Sequence, residues 1–146
     1  MSAKEELRQI LLDEAKINYK LEELVRLRSM ATKVTSAMSD DVVSRSRYPY
    51  TMENAVDKII HAQEELNGMI DALIEKKHYF SSIIDSMDNP AHIQVLTGRY
   101  YDGKTLERLS TEMGYSYRHI CNIHGDALAA VDAKMKEKAK RLQTIS

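Results

Sequence analysis

Helix-breaking residues are scarce in this chain, and their positions leave long stretches that favour helix over any other regular structure. The 146 residues include two prolines and five glycines, and neither type occurs between Ala3 and Ala37. Proline and glycine disfavour a helix interior by about 3 and about 1 kcal/mol relative to alanine. The composition is 43% apolar and 29% charged, which suits a buried core with a polar surface. These features together predict an all-α protein.

The first of these stretches carries an apolar stripe. Its leucines and isoleucines recur at helical spacing, at Leu7, Ile10, Ile17, Leu21 and Leu24. This pattern predicts a long amphipathic helix over residues 3–37. Glu14 and Arg28 interrupt the a and d positions of a heptad assignment, which disfavours a regular two-stranded coiled coil. We therefore expect the stripe to pack against another helix of the same chain.

A second long helix is predicted from a capping Thr51 to about Asp85, with a wider apolar stripe. At 1.5 Å per residue this helix is about 50 Å long, close to the length of the first one. The two helices are therefore expected to form a long antiparallel hairpin. Because its broad apolar face needs a partner, we predict either packing against the C-terminal module or self-association, and we favour a homodimer.

The segment 39–50 between these helices is predicted to be a loop. It combines clustered serines, mixed charges and Pro49, and it is longer than the roughly 2 to 8 residues that usually connect two helices. Two interpretations stay open, a plain surface loop and an arm that contacts phosphates. The residues that favour the arm are Arg45, Arg47, Tyr48 and Tyr50.

The rest of the chain predicts a three-helix module that contains a helix-turn-helix. The Asp88–Pro90 segment combines a capping side chain with a proline suited to a first helical turn, so a support helix begins there. Thr105 then caps a short helix that ends at Gly114, and Ser116 caps the next. The apolar positions expected inside the module are Ile93, Leu96, Tyr100, Leu106, Leu109, Met113, Ile120, Ile123 and Leu128.

The side chains left facing outward at the start of the last helix are Tyr117, Arg118, His119 and Asn122. In DNA-binding helix-turn-helix proteins the second helix of the motif enters the major groove, where its first residues meet base edges. Arginine can bond guanine bidentately, and asparagine can bond adenine. The set therefore indicates binding to double-stranded DNA. Gly125, further along this helix, is expected to let a neighbouring helix approach closely.

Charge is distributed unevenly along the chain. Residues 1–88 carry 12 Lys and Arg against 16 Asp and Glu, whereas residues 89–146 carry 9 against 6. We therefore divide the chain into an oligomerising hairpin (1–88) and a DNA-binding module (89–146), whose positive charge suits phosphate contacts. The C-terminal stretch is predicted to be either a solvated helix or a phosphate-binding one. Its basic residues are Lys134, Lys136, Lys138, Lys140 and Arg141.

The stretch from Arg99 to Leu128, RYYDGKTLERLSTEMGYSYRHICNIHGDAL, resembles the promoter-reading domain of bacterial sigma factors, called region four. With the helices before it, the chain is also similar to small prophage proteins of the ArpU and RinA type, which regulate late phage transcription. The segments that carry this second resemblance are Asp88–Pro90, Arg99–Thr105 and Ile123–Leu128.

These resemblances imply a sequence-specific transcription regulator that acts at a phage late promoter and can contact host RNA polymerase. By position, the DNA-facing residues of the sigma domain correspond here to Tyr117, Arg118, His119, Cys121 and Asn122. Three further residues around the turn complete the predicted DNA-binding site: Lys104, Thr105 and Ser116.

Other classes of function find little support. Glycine-rich phosphate loops, G-x-S-x-G and H-E-x-x-H are absent, so we predict that the chain is not an enzyme and needs no cofactor. His119, Cys121 and His124 do not share one side of a helix, which argues against a metal site. We expect both histidines at the surface and the thiol half-buried.

The same features bear on location. The single cysteine and the lack of a cationic start followed by an apolar run predict a cytoplasmic protein. No apolar run approaches the roughly 20 residues that cross a bilayer. A membrane partner is therefore not expected.

Two alternatives remain open for the function. A phage terminase small subunit also joins a helix-turn-helix to an oligomerising helical region, and ring-sized oligomers would point to it. An adaptor whose module docks on RNA polymerase without touching DNA would bind with little dependence on salt. Salt discriminates here because phosphate contacts make affinity fall as the salt concentration rises.

Overall fold

The computed structural model describes residues 2–40 and 52–145. Within these ranges the chain forms helices and no strands, which confirms the all-α prediction. The elements are α1 (Ala3–Asp40), α2 (Met52–Asp85), α3 (Pro90–Tyr100), α4 (Leu106–Met113) and α5 (Tyr117–Ile145). None of the described helices is both long enough and apolar enough to cross a membrane.

The predicted loop at 39–50 is only partly described. Its first two residues, Ser39 and Asp40, belong to α1, which therefore extends past the predicted end at Ala37. The predicted cap Thr51 lies outside the described residues. So do the four residues of the possible phosphate-binding arm, Arg45, Arg47, Tyr48 and Tyr50.

The helices divide into two compact units. Residues 13–73 form one unit, and residues up to 12 together with those from 74 onward form the other. The first unit, called the hairpin unit below, contains most of α1 and most of α2. The second, called the module unit, contains the beginning of α1, the end of α2 and all of α3, α4 and α5. A functional boundary after residue 88 stays a prediction.

In the hairpin unit, α1 and α2 lie side by side. Lys20 of α1 places its ammonium 3.3 Å from Glu65 of α2, and a hydrogen bond to Glu65 raises the pKa of this lysine. The buried apolar side chains of the two helices are Ile17, Leu24, Ala55, Ala62, Leu66 and Leu73. These residues give each helix the one-sided burial that stabilises a long amphipathic helix.

The apolar stripes of the hairpin unit are narrower than predicted. Leu21 in α1 is 43% exposed, and Val56 and Ile60 in α2 are 43% and 47% exposed. A helix can turn only part of its circumference toward a single partner, so apolar residues at the margin of a wide stripe remain in contact with water.

The core of the module unit includes the first turns of α1, so the start of the predicted hairpin packs with the C-terminal helices, one of the two alternatives that the sequence left open. Ala3, Leu7 and Ile10 are at most 1% exposed. The backbone N–H of Ala3 donates a hydrogen bond of 2.7 Å to Oδ1 of Asp132 in α5. A carboxylate at a helix N-terminus satisfies free N–H groups and interacts favourably with the helix dipole. Asp132 therefore ties the beginning of α1 to α5.

Glycine permits one close helix contact in this unit, but at a position other than the predicted one. A Cβ placed on Gly98 in α3 would lie 2.6 Å from Cδ2 of Leu109 in α4, whereas a Cβ on Gly125 would meet nothing within 4 Å. The expectation that Gly125 marks a close helix approach is therefore wrong. The residue lies on the exposed side of α5, where no helix of the described chain packs.

Candidate nucleic-acid interface

A small apolar core holds α3, α4 and α5 together. Its fully packed members are Val95, Leu109, Ile120 and Ile123, with Ala91, Leu106 and Met113 packed around them. Of these, Val95 and Ala91 were not among the predicted core positions. The predicted residues Leu96, Tyr100 and Leu128 are buried as well, whereas Ile93 is half-buried.

The start of α3 and the segment after it are fixed by side-chain hydrogen bonds. Asn89 accepts from the backbone N–H of Ala91 at 2.9 Å, and Pro90 occupies the first helical turn as predicted. After the helix, Arg99 donates from Nη1 to the carbonyl of Lys104 at 3.1 Å. Gly103, with φ of +69°, supplies the left-handed residue of this connection.

The turn between α4 and α5 has the geometry that the sequence predicts. Thr105 Oγ1 accepts from the N–H of Arg108 at 3.1 Å and caps α4. Gly114, with φ of +73°, ends α4 in the left-handed conformation that favours glycine. Ser116 Oγ accepts from the N–H of His119 at 3.1 Å and so caps α5. Three residues therefore separate the two helices of the motif.

The predicted base-reading residues lie at the solvent side of the first turns of α5. Tyr117, Arg118, His119 and Asn122 are exposed, whereas Cys121 is half-buried. Arg118 and Asn122 are four residues apart, so they stand one above the other on the same face of the helix. The structure therefore brings together the two side chains best suited to base recognition.

Arg118 differs from the other basic residues around the turn. Among the described residues it makes no ion pair. Lys104, in contrast, places its ammonium 2.9 Å from Glu112, and Nε of Arg108 lies 2.9 Å from the same carboxylate. Hydrogen bonds from these two cations hold the pKa of Glu112 below its ordinary value. The positive charge of Lys104 is thus partly neutralised inside the module.

Aromatic rings surround the predicted base-reading residues. The ring of Tyr115 contacts the His119 ring edge-to-face, with centroids 4.8 Å apart. A hydrogen bond with Cys121 raises the pKa of the Tyr117 phenol, and half of the Tyr117 side chain remains exposed. These contacts orient the side chains without removing them from solvent.

His124 is half-buried, whereas we expected it at the surface. Its Nε2 is 2.7 Å from the hydroxyl of Tyr100, and the two rings stack with centroids 5.7 Å apart. Burial, followed by the positive charges of Arg99 and Lys4, lowers the pKa of His124. These effects favour the neutral ring, and the direction of the hydrogen bond with Tyr100 then follows from which ring nitrogen carries the proton. The interaction joins α5 to α3 directly behind the exposed face.

The exposed face of α5 continues beyond the motif. Lys136 lies about five helical turns after Arg118, and Lys140 lies one turn further, so both share the side of Arg118 and Asn122. Both lysines are exposed. Lys134 and Lys138 lie on the other side, where Lys134 donates to the carbonyl of Ser86, just after α2, and Lys138 donates to Ser82 of α2. Helical spacing alone would have separated these two sets of lysines.

Metal binding finds no site in the described part of the chain. No group of three histidine, cysteine, aspartate or glutamate side chains there could hold an ion. The exposed face around Arg118 offers hydrogen-bond donors and acceptors, aromatic rings and positive charge, which are the groups that contact nucleic acid.

Residues 89–132 match the family model for Sigma-70, region 4. The match contains α3, α4, the three-residue turn and the first half of α5, and it covers less than a third of the chain. No curated protein sequence and no solved structure matches the chain. These residues form a helix-turn-helix module of the sigma region 4 kind, which is a DNA-binding domain.

Proposed function

We propose that this chain is a sequence-specific regulator of transcription, of phage or prophage type, that reads the major groove with the first turns of α5. The observation that carries the proposal is the pair Arg118 and Asn122, exposed and one turn apart at the start of the second helix of a sigma-like motif. The resemblance to ArpU and RinA proteins adds the expectation of a late phage promoter as the target.

The chemistry of this pair suits base recognition. Arg118 can donate two parallel hydrogen bonds to guanine, and Asn122 can both donate to and accept from adenine. Each such pair is worth about 1–3 kcal/mol of discrimination against a wrong base. Arg118 is free of carboxylates among the described residues, so binding need not break an internal ion pair first.

Phosphate contacts would set the register of the module on the duplex. Thr105 and Ser116 stand at the N-termini of α4 and α5, where hydroxyl and backbone N–H groups can hydrogen-bond phosphate oxygens. Lys136 and Lys140 add positive charge on the same side of α5. Lys104 would need to exchange its contact with Glu112 for a phosphate.

A homodimer would place two modules on one site. Two-fold proteins of this kind bind half-sites separated by about one helical turn of DNA. Binding by two modules at once compensates for the modest positive charge of a single module. The proposed protein is therefore a cytoplasmic DNA-binding dimer that contacts RNA polymerase at its promoter, and it binds rather than catalyses.

The test is a binding titration of the full chain against pooled fragments of its source genome at two salt concentrations, followed by sequencing of the retained DNA. We expect one discrete site beside a promoter, with affinity that falls as salt rises. Arg118→Ala should lower the affinity for this site by about tenfold or more. Arg28→Ala, which removes an exposed arginine from the hairpin unit, is the matched control.

Three results would contradict the proposal. Equal affinity of the folded Arg118→Ala variant and the unaltered chain for the site would exclude α5 as the recognition helix. If no fragment is retained at either salt concentration, the chain does not read DNA, and the polymerase-adaptor hypothesis is favoured. A site beside packaging genes, bound by a ring-sized oligomer, would instead indicate a terminase small subunit.

A further inference from the structure

A groove on the module unit lies outside the sigma-like residues. It runs between the end of α2 and the C-terminal part of α5 and has two adjoining hollows of about 170 and 500 Å³. Ser82 and Lys138 line both hollows. Every residue that lines them falls within 74–86 or 134–141, whereas the sigma match covers 89–132. A DNA-reading module of this kind therefore does not account for the groove.

The smaller hollow is basic. Lys138 donates to Ser82 Oγ at 2.6 Å and stands 4.9 Å from the centre of the Tyr79 ring. Lys134 donates to the carbonyl of Ser86 at 3.4 Å. Neither lysine has a carboxylate partner among the described residues, whereas Arg141 pairs with Glu137 at 3.3 Å. The hollow therefore carries two positive charges without compensating acids.

The larger hollow is mainly apolar. Ile74 is 59% exposed and Tyr79 is 36% exposed, and both line it. Glu75 and His78 line it as well. An apolar floor beside uncompensated lysines fits a helix that presents aliphatic side chains along one line and carboxylates along the next.

The first turns of α2, in the hairpin unit, present such a surface. Val56 and Ile60 are exposed and four residues apart, so they stand on one face of the helix. Glu53, Asp57 and Glu64 flank this face and make no ion pair among the described residues. We call these five residues the acidic strip.

We propose that the groove of one copy binds the acidic strip of a second copy. Val56 and Ile60 pack on Ile74 and Tyr79, and the three carboxylates face Lys134 and Lys138. In a two-fold dimer the contact is made twice, because each copy contributes one groove and one strip. The inference rests on the homodimer of the proposed function and names the surfaces that form it.

The test measures self-association of the full chain by sedimentation equilibrium. Lys138→Glu and Asp57→Lys should each weaken dimer formation by about tenfold, because an attraction between charges becomes a repulsion. The double variant carries the swapped pair at both contacts and should recover most of the lost affinity. Lys136→Glu, with the same charge change on the opposite side of α5, should leave the dimer unchanged.

A substitution at an apolar residue of the acidic strip keeps the test decisive if Lys138→Glu disturbs folding. Ile60→Asp alters an exposed residue, so the fold should persist while the dimer weakens. If a folded Ile60→Asp chain dimerises normally, or the double variant shows no recovery, the proposed contact between groove and acidic strip is wrong, although a homodimer formed by other surfaces stays compatible with that result. A monomeric unaltered chain would overturn both the groove and the dimer, and DNA binding would still be judged from the titration.

Discussion

The helix-turn-helix and the hairpin unit are both built from amphipathic helices, yet they are held in place by different means. Around the turn, each helix end is fixed by one residue: Thr105 caps α4, Gly114 ends it and Ser116 caps α5. The hairpin unit contains parts of α1 and α2, which are 38 and 34 residues long in full, and the side chains buried there among the described residues are apolar. Capping residues and a glycine thus define the helix ends of the motif, whereas burial of an apolar stripe along each helix defines the hairpin.

The largest effect should come from the core of the motif. Leu109 is 1% exposed, and its side chain lies where a Cβ on Gly98 of α3 would have to fit. Leu109→Ala should lower the free energy of unfolding by about 2–5 kcal/mol, because it leaves a cavity in a small core. Urea unfolding followed by circular dichroism measures this. Leu142→Ala, at a position that is 68% exposed, serves as the control and should cost far less.

A matched pair of glycine substitutions tests the comparison directly. Gly114→Ala should destabilise the protein by about 1–2 kcal/mol, because alanine resists the left-handed conformation at the end of α4. Gly68→Ala lies within α2 and has open space around the added methyl group, so it should stabilise by up to about 1 kcal/mol. Thermal unfolding compares the two. Shifts of the same sign would show that the two regions do not differ in this way.

Asp132→Asn should have a smaller effect on the module unit. It keeps an oxygen that can accept from Ala3 N–H but removes the negative charge at the N-terminus of α1. We expect a loss of about 0.3–1 kcal/mol that shrinks at high salt. Asp126→Asn, at an exposed position of α5, is the control. An equal loss in both variants would mean that the charge of Asp132 does not act through α1.

His124 should make the smallest contribution, visible only as a pH dependence. Its folded-state pKa lies below the ordinary value of about 6.5. The unfolded chain therefore binds more protons between these two values, and stability is lost as pH falls through them. His124→Gln should flatten the curve of unfolding free energy against pH in this range. An unchanged slope in the variant would exclude this histidine as its source.

Sequence reasoning succeeded where a structural feature depends on neighbouring residues. The caps at Asn89, Thr105 and Ser116 and the helix end at Gly114 each follow from a side chain and the backbone within a few positions. The spacing of apolar residues likewise predicted most of the module core. Of the candidate site, the exposure of Arg118 and Asn122 followed from the same periodicity, whereas their contacts with DNA remain predictions.

The features that were missed depend on contacts between distant parts of the chain. His124 forms a hydrogen bond with Tyr100 and is half-buried. Glu112 accepts a hydrogen bond from Lys104, eight residues before it. Gly98 rather than Gly125 meets a neighbouring helix, because Leu109 of α4 packs against it. Such pairings depend on how the helices pack, and a linear pattern of residue types contains no signal for them.

The hydrogen bond from Ala3 to Asp132 spans 129 positions of the chain. During synthesis on a ribosome, Ala3 is made more than a hundred residues before Asp132, so their contact cannot form until α5 has been made. Contacts of such long sequence separation are slow to close. We expect the start of α1 to reach its final contacts with α5 only after translation has passed Asp132.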